Sequence, residues 1–321
     1  MANRVPRQAV RRAGLGLLAT VALLAWYSCS ADRITAHGSD TTTGAPSPAA
    51  GAVTSAAHSG ILFGSMNLGN SLLSRVHTGA WRPVTPANIL AELSGARARG
   101  GRLILRLVPG DRQLKNADGT FSFEKWKAMV DRYKSVDFRQ YIDDGTLVGH
   151  YMIDEPHLTA RWNGGIQQST LEAMARHSKQ LWPDLVAIVR VVPSWLAQAP
   201  VAYRYLDAAY IQYTSRRGDP AEFLAREVAA AQSRGLGVVL SMNVLDGGTS
   251  SSGIPGYSSG KFAMSAAELR RFGSVLLNER YGCAFIMYQY EPSYYNRSDI
   301  RSAMADLSRM ATGHPSTSCR Q

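Results

Sequence analysis

Two adjacent carboxylates at the end of an apolar run are the first residues that suggest chemistry. Leu147-Val148-Gly149-His150-Tyr151-Met152-Ile153 reads as a buried strand, and Asp154-Glu155 end it before Pro156. A continuous apolar run suits a strand covered on both faces. Carboxylates at its end lose hydration unless they face a cleft or a partner, and the proline stops the ladder by removing a donor. The strand therefore serves to aim Asp154 and Glu155. Another carboxylate, Glu291, follows Tyr288-Gln289-Tyr290 at the end of a second such run. Asp154 beside Glu155 favours the protonated form that a general acid needs. Tyr288, Tyr290 and Arg297 near Glu291 favour the ionised form of a base or nucleophile. Carboxylates in opposed surroundings are the pattern for dividing acid and base roles.

Such groups need elements to hold them. Strand-like runs occur at residues 61–67, 102–108, 147–153, 185–192, 207–213, 237–243 and 283–290. Helical patterns lie between or after them, at 87–99, 123–143, 170–181, 220–234, 265–279 and 298–310. Ser265 and Glu268 form a capping-box pair, and Gly235 is a C-cap signal. Strands alternating with helices imply βαβ units and a parallel sheet. Seven such repeats in about 260 residues predict an α/β fold, a parallel (β/α)8 TIM-type barrel. The eighth strand is expected within 72–81 or after Glu291. No glycine-rich phosphate loop follows the first strand, which argues against a dinucleotide fold.

In a barrel the site forms at the carboxyl ends of the strands. Nearly every predicted strand carries polar groups there: Ser65 and Asn67; Arg106; His150, Tyr151, Asp154 and Glu155; Arg190; Gln212 and Tyr213; Ser241 and Asn243; Tyr288, Gln289, Tyr290 and Glu291. Either arginine alone is as easily a structural ion pair. Polar groups breaking seven strands at one end imply a shared pocket. Trp81, Trp195, Tyr294 and Tyr295 fall in predicted loops and suit stacking on sugar rings, although each singly is as easily packing.

Ile153-Asp154-Glu155-Pro156 resembles the Asn-Glu-Pro strand end of (β/α)8-barrel glycoside hydrolases, as a divergent member. Met66-Asn67-Leu68-Gly69-Asn70 is similar to the Asn-Leu-Gly-Asn of cellulase-like members, and Tyr288-Gln289-Tyr290-Glu291 resembles a family strand ending in the nucleophile. The resemblance covers residues 60–315. It implies a carbohydrate substrate, cleavage of a glycosidic bond by two carboxylates, Glu155 as acid/base, Glu291 as nucleophile, and no cofactor. Asp154 replaces the family's asparagine. The family pair sits three strands apart, whereas Glu155 and Glu291 are four apart, a wide pairing that suits inversion through a water. The alternative partner three strands on is Asp246. Two other readings compete. One is a non-catalytic glycan-binding or surface protein on the same scaffold. The other is a metal-dependent lyase or hydrolase using Asp154, Glu155 and His157, although no second histidine cluster supports a metal.

The 321-residue chain carries 35 basic against 24 acidic residues, a net charge of +11. The basic residues are scattered, with no aromatic-interleaved run, so nucleic acid is not an expected partner. Arg4, Arg7, Arg11 and Arg12 precede the uncharged run Ala13–Trp26, and this pattern in residues 1–29 reads as an export signal. Cys29 stands where a lipoprotein carries its lipidated cysteine. Free secretion, membrane attachment through Cys29 at the cell surface, and an uncleaved anchor helix are the alternatives. Residues 30–59 are a Ser/Thr/Ala/Pro-rich linker, and 60–321 form the single barrel domain. Only Cys283 and Cys319 remain, and in an oxidising compartment they are expected to pair.

Overall fold

The computed structural model describes residues 59–108, 110–315 and 318–319, so the expected export signal and nearly all of the linker lie outside the described residues. Eight strands form a closed barrel: β1 (Leu62–Met66), β2 (Gly79–Pro83), β3 (Arg102–Arg106), β4 (Leu147–Asp154), β5 (Val186–Arg190), β6 (Ala208–Tyr210), β7 (Gly237–Leu240) and β8 (Gly282–Met287). Every neighbouring pair is parallel, and β8 returns to β1. The seven predicted strands are present. The eighth, β2, begins inside the window 72–81 and runs past it to Pro83.

Gly79-Ala80-Trp81-Arg82-Pro83 reads poorly as a strand because glycine and proline frame it. The glycine has a steric reason. Gly64 of β1 is paired with Gly79, and a Cβ on Gly64 would lie 1.7 Å from the Gly79 carbonyl oxygen. A Cβ on Gly79 would lie 2.3 Å from Cγ of Leu62. The backbones of β1 and β2 can approach this closely only without side chains at these positions.

Two apolar layers follow from the alternation of side chains across each strand. Leu62, Ile104, Tyr151, Ile188, Tyr210, Val239, Ala284 and Ile286 fill the barrel interior. Phe63, Leu105, Met152, Val189, Val238 and Phe285 face the helices, in one cluster with Trp126, Leu171, Phe223, Leu269 and Leu307. The expected helix over 123–143 is instead two helices, Phe123–Asp131 and Arg139–Asp143. Trp126, Val130 and Tyr133 keep a helical period, but the next buried side chain is Phe138 where the period would place Asp137. The chain leaves the helix to bury the phenyl ring. The capping box forms as expected: Ser265 Oγ accepts from Glu268 N, and the Glu268 carboxylate accepts from Ser265 N.

The end of the barrel where the strands begin is closed by the tail. Cys319 is disulfide-bonded to Cys283, at the start of β8, with the Cα atoms 5.0 Å apart and a sequence separation of 36. Its carbonyl oxygen would lie 2.5 Å from a Cβ on Gly237, the first residue of β7. Among the described residues no helix is long and apolar enough to cross a membrane.

Closing a loop of this length removes about 3–4 kcal/mol of chain entropy from the unfolded state. Reduction, or Cys319→Ser, is expected to lower the melting temperature by roughly 10 °C for a domain of this size. Equal melting curves with and without reductant would show that the bridge contributes nothing to stability.

Candidate active site

A cavity of about 640 Å³ opens beyond the carboxyl ends of β4 to β8. Asp154 and Glu155 enter it from β4, Arg190 from β5, Gln212 from beyond β6, Asn243 and Asp246 from beyond β7, and Tyr288 from beyond β8.

Its organising feature is a line of charges and hydrogen bonds across neighbouring strands. Arg190 Nη1 donates to Asp154 Oδ1 at 2.5 Å, and Arg190 Nη2 donates to Gln212 Oε1 at 2.7 Å and lies 3.4 Å from Glu155 Oε1. Arg161 Nη1 reaches Asp154 Oδ2 at 2.8 Å and Glu155 Oε2 at 2.9 Å. Arg161 Nε donates to Asp111, which also accepts from Arg106 Nη2 at 3.0 Å. Burial by itself would raise the Asp154 carboxyl, but Arg190 and Arg161 outweigh it and hold the group below the ordinary aspartate value. Glu155 therefore faces two guanidiniums as well as its acidic neighbour, since Arg161 and Arg190 each contact both carboxylates.

The backbone of β4 explains how Asp154 joins this line. Tyr151 lies in the barrel interior and donates to Asp154 Oδ1 at 2.9 Å. In a regular strand residues three apart point to opposite faces. The pairing with β5 slips one residue between Tyr151 and Ile153, and Met152 and Ile153 both pack on the helical side. This bulge restores Asp154 to the inner face, as bulges beside active sites re-aim side chains. The next residue, Glu155, sits at φ +44°, and Asn67 beyond β1 at φ +60°. A left-handed glutamate costs about 1–2 kcal/mol, and its amide is held by the Arg190 carbonyl at 3.0 Å.

The remaining predicted residues divide by place. Asn67 and Gln289 meet outside the cavity lining, Nδ2 to Oε1 at 3.4 Å. Tyr290 packs on Tyr295, with ring centroids 4.9 Å apart. Trp195 stands beside His157 at 6.0 Å between centroids. Trp81, Tyr294 and Tyr295 are buried and have no free ring face for a sugar. His150 points outward from β4 into the helical layer, stacked on Trp126 with Nδ1 2.9 Å from Ser178 Oγ. Glu291 caps the short helix Pro292–Tyr295, accepting from Ser293 N at 3.2 Å and Ser293 Oγ at 3.1 Å. It lines a separate depression of about 340 Å³ with Tyr257, Tyr294 and Arg297. Asp246 lies in the larger cavity with Glu155, and its two oxygens accept from Ser258 N at 2.8 Å and Ser258 Oγ at 2.6 Å.

The sequence reading did not single out Arg161, Tyr210, Thr214, Arg216 or Arg217, which also line the cavity. Arg216 and Arg217 follow a predicted strand end directly, a signal that was available. Arg161 lies in the one-turn helix Thr159–Trp162, too short to show a period, and nothing local marks it. Among the described residues no group of three or more His, Cys, Asp or Glu converges as a metal site, and His157 packs against Trp195 instead.

No protein-family model matches the sequence, and no curated protein matches it. Solved structures do match. A glycoside hydrolase family 113 β-1,4-mannanase shares 9% identity at a TM-score of 0.53, over 78% of this chain and 99% of its own. A cellulase–inhibitor complex shares 10% at 0.53, over 78% and 92%. An endocellulase of Pyrococcus horikoshii bound to cellotetraose shares 9% at 0.51, over 78% and 92%. The chain thus has the (β/α)8 barrel fold found in glycoside hydrolases.

Burial has a measurable consequence for His77 and His150. It lowers His77 to about 4 and His150 to about 3, from an ordinary 6.5. The unfolded chain therefore binds more protons between pH 6.5 and these values, so stability is full above 6.5 and declines as the pH falls towards 4. The melting temperature is expected to drop steadily from pH 6.5 to 4.5. His150→Asn should flatten that decline, removing up to about 1.4 kcal/mol per pH unit from the slope of the unfolding free energy. An unchanged slope would mean that His150 is accessible to protons in the folded protein.

Proposed function

We propose that the protein is a carbohydrate-active enzyme that cleaves a glycosidic bond in this cavity, with Glu155 as acid/base and Asp246 as the second carboxylate. One observation carries the pairing: Glu155 and Asp246 line the same cavity, while Glu291 lines another. Asp246 follows β7, three strands on from the β4 end that carries Glu155, which is the spacing of the resembled family. Neighbours in fold that are named as a mannanase, a cellulase and an endocellulase support the substrate class.

The chemistry asks Glu155 to deliver a proton to the leaving oxygen and Asp246 to act as base or nucleophile on the opposite side of the sugar. Arg190 and Arg161 position Glu155 by its two oxygens, and the left-handed backbone fixes where its side chain starts. Tyr288 and Asn243, which extend β8 and β7 through an isolated bridge, supply hydroxyl and amide groups for sugar hydroxyls.

A second reading, binding without cleavage, is favoured by the same ion pairs. Glu155 would then serve, with Arg161 and Arg190, as a fixed polar surface rather than as a proton donor.

Turnover of a panel of plant and microbial polysaccharides separates the readings. Glu155→Gln and Asp246→Asn are each expected to lower kcat by 10²-fold or more with melting temperature nearly unchanged, and Glu291→Gln to leave kcat within a few-fold. Loss of activity in Glu291→Gln with Asp246→Asn active would restore Glu291 as the partner. A parent protein that binds glycans but cleaves none supports the binding reading.

A further inference from the structure

The hydrogen-bonding inventory of the cavity is one-sided. Its acceptors are largely occupied. Both oxygens of Asp154 are taken by Arg190, Tyr151 and Arg161. Those of Glu155 face Arg161 and Arg190, and those of Asp246 accept from Ser258. Gln212 Oε1 accepts from Arg190, and Asn243 Oδ1 accepts from the Asp246 amide at 3.0 Å.

The donors are in excess. Gln212 Nε2 and Arg190 Nε are buried without a partner. Arg216 and Arg217 stand exposed on the cavity lining. Arg216 donates once, from Nη1 to the Asp246 carbonyl at 3.0 Å, and Arg217 rests over the Phe223 ring at 5.1 Å. Neither makes a salt bridge among the described residues, whereas Asp154 and Glu155 are matched by Arg161 and Arg190 and Asp246 accepts from Ser258. A neutral sugar hydroxyl both donates and accepts, and finds few acceptors here. A carboxylate or sulfate only accepts, and planar guanidiniums bind either one bidentately.

We infer that the cavity takes an anionic glycan, one whose sugar beyond Gln212 carries a carboxylate or sulfate that Arg216 and Arg217 receive. The inference rests on the carbohydrate reading and names the substrate class for the same site. Its fold neighbours supply no part of it, since they are named for uncharged glucan and mannan chemistry.

The test uses charge-matched pairs on the intact protein. Oligogalacturonate and its methyl ester, and chondroitin 4-sulfate oligosaccharide and its desulfated form, are titrated calorimetrically at 50 and 300 mM NaCl. At least one charged member is expected to bind ten-fold or more tighter than its partner, with that advantage shrinking at high salt. Which pair responds distinguishes carboxylate from sulfate recognition. In R216Q/R217Q, whose exposed positions leave the fold intact by melting temperature, the preference is expected to collapse towards one. A neutral member that binds as tightly as its charged partner overturns the inference while leaving the carbohydrate reading in place, as does a preference unchanged in the double variant. Binding of no glycan, charged or neutral, overturns both.

Discussion

An ionised carboxylate taken out of water at a barrel mouth must be met by a cation, and the pairing of Asp154 with Arg190 answers that constraint. The two side chains are only 16% and 13% exposed, so solvent screens them little. In such a pair the net contribution to stability is small, but removing one partner costs about 3–5 kcal/mol because the other charge is left buried. The neighbourhood is built accordingly. Tyr151 holds Asp154 from below, Gln212 holds Arg190 from the side, and Arg161 reaches both acidic residues from the segment after β4. Through Asp111 the line continues to Arg106 on β3. Four consecutive strand ends are thereby fixed relative to one another by side chains as well as by their ladders.

β4 bears most of this load, and its irregularities follow from it. It is the longest strand and slips register against both neighbours. The slip against β5 brings Tyr151 and Asp154 to the same face, and the left-handed turn at Glu155 then swings the chain out of the sheet. Without that pair of distortions, two consecutive carboxylates could not both reach Arg161. The left-handed glutamate marks this strand end; elsewhere in the barrel the register also slips between β7 and β8, and Asn67 beyond β1 is left-handed too.

How much of this could be read from residues alone follows the same physics. Strands buried on both faces are long apolar runs, and seven of them stand out. β2 does not, because the close approach to β1 demands Gly79 and the strand ends in Pro83. Strand ends were recognisable by their polar residues, so Arg190, Gln212, Asn243 and Tyr288 were found. Which face a residue takes was not recognisable, since β4 changes parity within its length. His150 is consequently a core residue although it sits four positions from the carboxylates. Residues such as Arg161 belong to segments with no period, and only tertiary contact brings them to the site. Asp246 and Glu291 met the same limit, because the shapes of two loops decide which cavity each carboxylate lines.

The tail bridge at the foot of β8 has a geometric consequence. Cys319 lies against Gly237 at the start of β7, and Ile61, just before β1, is hydrogen-bonded to Ala311. The chain therefore enters and leaves the barrel by its sealed face, opposite the cavity. The cavity is thus bounded by the loops at the other end, with neither end of the described barrel beside it.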